Sequence, residues 1–251
     1  MSLLSPRLRI ALSPGRASVA QRQEAYSAWG GQAGWEGGLA ALAGLLAAQS
    51  SPGAASVILS QHFMRCFLLP PPAVWLNRRE MQAWLEDKLK VPLDGAGDWR
   101  LSWQAKRPGR PVTVCAIRRR HLDDLGRTLA EAGVKSKAIV PWLTVAYQRR
   151  AKELRKATGW YALVEPGMAC LLRLEAGETV GLRQRQLDAD PARSLGRMIK
   201  RESLLQGIEH RGELWLDVGG VEGRWQMLGS KGRTVHELPD AVALHGAAKL
   251  S

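Results

Sequence analysis

The sequence predicts a mixed α/β (α+β) fold of two related lobes, the second abbreviated. Three observations carry this expectation. Each half opens with short extended segments joined by tight turns. Each set of strands then leads into a segment of helical period and a further strand. The plan recurs about 150 residues later, and strands that feed helix-linked strands call for a sheet covered by helices.

In the first half, residues 8–12 alternate, Ser13-Pro14-Gly15 is a turn, and residues 17–21 and 26–29 continue as strands. Residues 38–49 form an Ala/Leu helix and residues 55–60 a buried strand. A strand over 62–69 stops at Pro70-Pro71-Pro72, which offer no amide donors. Asn77 caps a helix over 78–90 whose Met81, Trp84, Leu85 and Leu89 share one face. Strands at 99–104 and 111–118 lead to a helix over 119–132, ended by Gly133, and to a strand over 134–140.

A helix opened by Pro141 runs to residue 157. The second half restarts with strands at 160–165 and 168–174, joined by Pro166-Gly167 in type II turn positions. A strand over 179–187, a helix opened by Asp190-Pro191 that ends near residue 205, and a strand over 212–218 follow. Beyond Gly219 the patterning weakens into a Gly-rich stretch and an Ala-rich tail. The expected division is 1–140, with an inserted strand–helix–strand segment at about 62–106, and 141–251 for the connecting helix and shortened lobe.

Of the 251 residues, 45% are apolar and 24% charged, which suits an ordinary folded chain and excludes disorder over most of its length. The net charge of +13 favours an anionic partner. Residues 1–125 hold 16 basic and 9 acidic side chains and residues 126–251 hold 20 and 14, so there is no dedicated nucleic-acid arm. Cys66, Cys115 and Cys170 lie in apolar runs without a CxxC spacing, as expected of reduced core thiols in a cytoplasmic protein. The histidines show no metal-ligand spacing, so no metal site is expected. The longest apolar segment, 38–48, is about half of a membrane span, and the first residues lack the apolar core of a signal peptide.

The chain resembles the cytoplasmic actin-like domains of type IV pilus assembly and type II secretion proteins, the PilM- and GspL-like group. The resemblance rests on the opening LRIALSPGRASV, the strand pair VILSQHFMRCFLLP, the helix REMQAWLEDKL, the strand DWRLSWQA, and the stretch IVPWLTVAYQRR leading into WYALVEPGMACLLRL. It covers about residues 7–217. It implies an actin-like, ribonuclease H-like fold with a nucleotide cleft between two lobes. It also implies partners in an inner-membrane pilus or secretion machine: pilus-type members grip a short segment of a membrane partner, secretion-type members the motor ATPase.

Actin-like ATPases carry an Asp-x-Gly turn in the first hairpin of each lobe, whose amides cradle phosphates while the Asp holds hydrated magnesium. The matching first turn here is Ser13, Pro14, Gly15 and Arg16, without a carboxylate and with a proline in place of an amide donor. The second is Glu165, Pro166, Gly167 and Met168, where the simplest role for Glu165 is a charge at a hairpin tip. The adenosine-binding Gly-Gly maps weakly to Gly219 and Gly220. The resemblance with these altered turns implies a catalytically silent scaffold that uses neither ATP nor magnesium.

Two basic helices stand out: Arg149, Arg150, Lys152, Arg155 and Lys156 on one, Arg193, Arg197, Lys200 and Arg201 on the other. They form solvated faces or meet an anionic inner-leaflet surface. His121 with Asp123 and Asp124 fits a helix start, and Asp217 a strand-end cap. Of the ten tryptophans, Trp84, Trp142 and Trp215 fit core positions, whereas Trp29, Trp35 and Trp75 would anchor a partner peptide if exposed. The expected role is a scaffold at the cytoplasmic face of the inner membrane. Two readings stay open beside it: a weak ATPase rebuilt on Glu165 or Asp217, and a non-catalytic nucleic-acid-binding module.

Overall fold

A computed structural model describes residues 8–21, 24–49, 53–105, 109–207, 212–219, 221–229, 233–238 and 244. Strands β1 (Leu8–Ser13), β2 (Arg16–Gln21) and β3 (Glu24–Trp29) form an antiparallel meander. β4 (Ala54–Leu59) and β8 (Lys135–Pro141) add in parallel beside β1, giving the order β3-β2-β1-β4-β8. The second half repeats this order and these strand directions. β9 (Gly159–Glu165), β10 (Met168–Glu175) and β11 (Glu178–Gln186) form the meander, and β12 (Gly212–Asp217) and β13 (Arg233–Glu237) extend it as β11-β10-β9-β12-β13.

Between β4 and β8 lies an antiparallel sheet of β5 (Met64–Leu69), β6 (Trp99–Ala105) and β7 (Val112–Arg118), with β7 in the middle. Helix α2 (Arg78–Leu89) packs on it through Met81, Leu85 and Leu89. Asn77 caps α2 as expected: its side chain accepts from the Arg79 and Glu80 amides while Glu80 reaches back to the Asn77 N–H.

Strand alternation sorts side chains into three further cores. Ile10 and Leu12 of β1 face outward to α1 (Gly34–Ala47) and α3 (Arg119–Glu131), meeting Leu42, Leu125 and Leu129. Trp160, Ala162 and Val164 of β9 face α6 (Pro191–Leu205), whose Leu195 and Ile199 cover them. The intervening residues, Ala11 of β1 with Tyr161 and Leu163 of β9, turn the other way. They share one core with Trp142, Leu143 and Ala146 of α4 (Trp142–Arg149), so the two large sheets are joined by packed side chains. The connecting helix sits in this joint.

Several elements differ from expectation. Helix α1 begins at Gly34 rather than residue 38, which brings Trp35 into the core, where it stacks on His121 with ring centroids 4.3 Å apart. Trp35 Nε1 also donates to Asp124 Oδ2 at 3.3 Å. The acids at 123 and 124 fall beyond the first turn of α3, so they do not serve its dipole. The helix expected over 141–157 breaks at Arg150, which separates α4 from the short α5 (Ala151–Leu154). A 3-10 turn (Trp225–Leu228) and β13 occupy part of the Gly-rich stretch where the patterning weakens. That turn stands where the first half has α3, and among the described residues the second half has no counterpart of the β5–β7 insert.

Candidate functional site at the lobe contact

The two turns that would hold phosphate are both Pro-Gly loops, with the glycine at positive φ (Gly15 +72°, Gly167 +76°) as a type II turn requires. Their surroundings differ. The Gly15 N–H already donates to the Gly34 carbonyl at 2.8 Å, and its carbonyl accepts from Gly30. The Trp29 ring and the Gln32 carbonyl lie so close that a Cβ on Gly15 would stand 2.3–2.6 Å from them. Pro14 brings no amide and the Gly15 N–H is already bonded, so neither of the two tip residues offers an N–H to a ligand. Arg16 is exposed at the start of β2.

Glu165 is buried, not a charge at a solvent-facing tip as the sequence implied. Its carboxylate reaches the segment after β4: Ser60 Oγ donates to Oε2 at 2.6 Å and the Gln61 N–H to Oε1 at 3.0 Å. The Ser60 N–H donates to the Leu12 carbonyl at 2.9 Å, so Ser60 links the end of β1 to the second hairpin. His62 Nε2 lies 2.8 Å from the Pro166 carbonyl. Burial pushes the Glu165 carboxyl above its ordinary value, against the opposing pull of Ser60 and Gln61.

A third bridge comes from β11. Gln184 Nε2 donates to the Gln61 carbonyl at 2.5 Å and the Met64 carbonyl at 2.9 Å, while its Oε1 accepts the Cys66 N–H at 3.1 Å. One side chain thus supplies the donor and acceptor that a neighbouring strand would offer to the free edge of β5.

The basic helix after β8 requires a correction. Arg150 is only 7% exposed, because the break between α4 and α5 turns it inward. Its Nε lies 3.6 Å from Asp217 Oδ2, and Tyr161 OH donates to the same oxygen at 3.3 Å. Asp217 is therefore a buried ion-pair partner rather than a strand-end cap. Burial still raises its carboxyl, and it raises the Tyr161 hydroxyl strongly. Lys152, Arg155 and Lys156 are exposed and Arg149 is half-buried. On α6, Arg193, Arg197, Lys200 and Arg201 are exposed, with Arg193 paired to Asp190 and Arg197 to Asp188.

The predicted residues are thus dispersed. Glu165 sits at the lobe contact, and the Ser13–Arg16 end of β1–β2 is linked to it through the Leu12–Ser60 bond. Gly219 is buried with positive φ, and Gly220 lies outside the described residues. Sequence reasoning missed Ser60, Gln61, His62 and Gln184; the one available signal was a polar tripeptide between two apolar strands. No grouping of three metal-capable side chains occurs among the described residues, and no helix there is long and apolar enough to cross a membrane. Trp29 (57% exposed) and Trp75 (79%) are open to solvent, and Trp75 lines a groove of about 740 Å³ formed by residues 71–78, α2 and β6.

Two sheets of identical strand order, joined by a helix and interrupted in the first half by an insert, define the actin-like ATPase fold. Solved structures share it across nearly their whole length. A Bacteroides thetaiotaomicron protein with actin-like ATPase fold and unknown function is 12% identical, with a TM-score of 0.64 over 97% of this chain and 94% of that one. The cytoplasmic domain of EpsL, an inner membrane component of the type II secretion system of Vibrio cholerae, is 15% identical with a TM-score of 0.58, covering 98% and 95%. A PilM–PilN type IV pilus biogenesis complex matches at 13% identity and a TM-score of 0.61, covering 95% and 90%. No protein-family model matches the sequence, and no curated protein matches it.

Proposed function

We propose that this chain is a catalytically silent actin-like scaffold of a pilus or secretion assembly, acting through protein contacts at the cytoplasmic face of the inner membrane. Residues 1–140 and 141–251 are its two working lobes. The observation that carries the reading is the protein-filled lobe contact. Where an actin-like ATPase would coordinate phosphate and magnesium, Glu165 is committed to Ser60 and Gln61, and neither Pro14 nor Pro166 can donate an amide hydrogen bond. A buried carboxylate whose two oxygens already accept protein hydrogen bonds has little left to offer magnesium.

The fold shared with the EpsL cytoplasmic domain and with PilM supports the setting. Exposed Trp75 beside its groove offers the kind of aromatic anchor that protein contacts use. The exposed cations Lys152, Arg155, Lys156, Lys200 and Arg201 add attraction to an anionic leaflet. Calorimetry with Mg-ATP tests the proposal: no heat of binding and no phosphate release is the expected result. Micromolar binding with turnover would overturn it.

A further inference from the structure

All three cysteines of the chain, far apart in sequence, meet in the core between the lobes: Cys66 of β5 and Cys170 of β10 are buried there, and Cys115 of β7 packs against them. Cys66 and Cys115 are direct partners in the β5–β7 register, and their Sγ atoms are 3.2 Å apart. The backbone identifies the kind of pair. The Cys66 N–H and the Met64 carbonyl both point away from β7, to Gln184. Cys66 and Cys115 therefore form a non-hydrogen-bonded antiparallel pair, in which side chains come closest and Cα atoms stand about 4.5 Å apart. That separation falls at the short end of the range a disulfide spans.

We propose that Cys66 and Cys115 are a reversible oxidation site, two free thiols placed to close an intramolecular disulfide when a peroxide reaches them. Cys115 is the accessible partner, since Cys66 is buried and Cys115 only partly so. The sulfur–sulfur contact sets the two thiols apart, Cys115 below its ordinary value and the buried Cys66 above it, and Cys115 is the more open of the two, so Cys115 supplies the nucleophile. Its thiolate attacks a peroxide oxygen; an S–O bond forms, the O–O bond breaks, and the departing oxygen leaves as water. The Cys66 sulfur then attacks Cys115 Sγ, the S–S bond forms, and the hydroxyl leaves as a second water. Two thiols are oxidised and one peroxide is reduced, with both thiol protons ending in water. A dithiol reverses the change by exchange.

The linked pair would lie on the strand that Gln184 holds. The test uses the full, folded, reduced chain exposed to hydrogen peroxide, alkylated with iodoacetamide, then unfolded, alkylated again with isotope-labelled iodoacetamide, digested and weighed. The expected product is one linked peptide pair containing Cys66 and Cys115, two hydrogens lighter than its parts and restored by dithiothreitol, with Cys170 alkylated only after unfolding. Unfolding the chain before oxidation should scramble the linkage among all three cysteines. Cys115→Ser should abolish the link and leave Cys66 reduced. Links that include Cys170 in the folded chain, links between molecules, or Cys115 recovered as sulfinic acid without a link would each overturn the proposal.

Discussion

The two Pro-Gly hairpins occupy equivalent places in two sheets of the same order, yet they are held in different ways. The first is closed within its own lobe, with Gly15 pressed beneath Trp29 and bonded to Gly34. The second reaches across the molecule, with Glu165 on Ser60 and Gln61 and the Pro166 carbonyl at His62. One turn sequence therefore serves a local closure in one place and a long-range tie in the other. The carboxylate and its polar counterparts decide which.

Substitutions can separate the two roles. The largest effect is expected at Glu165. Glu165→Ala leaves the Ser60 hydroxyl and the Gln61 N–H without their acceptor in a buried place, and urea unfolding should register a loss of about 3–4 kcal/mol. Its titration adds a signature. Because burial raises this carboxyl, the folded chain keeps a proton at pH values where the unfolded chain has released it. That stability is fully present below the ordinary carboxyl value and is lost as pH rises through the raised one. Wild type should therefore weaken relative to Glu165→Gln across this window; a gap between them that does not change with pH would contradict the burial argument.

The glycines come next. Gly15→Ala meets both positive φ and the Trp29 ring and should cost roughly 2–3 kcal/mol. Gly167→Ala meets only His62 Cε1 at an ordinary 3.7 Å, so backbone strain alone should cost about 1 kcal/mol. Equal losses would mean that the first tip is looser than its packing indicates. The smallest effect is that of His62→Ala, about 0.5–1 kcal/mol, since it removes one bond near the surface. Thermal unfolding of the three variants side by side measures the order.

The contrast also explains what could be read from residues alone. Strand alternation at 8–12, the Asn77 cap and both Pro-Gly turns are local signals, and each places its element. The fold class followed from their order. The lobe contact was hidden because its partners lie more than a hundred residues apart, as Ser60 and Glu165 or Cys66 and Gln184 do, with no periodic pattern to announce them. Arg150 misled for a related reason: its spacing fits a basic helix face, but the helix ends one residue before it, and Asp217 draws it inward. Helix α1 starts early because Gly37 and Gly38, which look like loop residues, let it pack against the Gln32 and Ser13 carbonyls.

The Gln184 clasp has a consequence for self-association. A strand with unsatisfied amides and carbonyls invites pairing with a strand from another molecule. On β5 that invitation is answered internally, by one amide side chain from the opposite half. Separating the lobes would uncover the Cys66 N–H and the Met64 carbonyl together, so the bonds that keep the halves together also cover an edge that another strand could pair with.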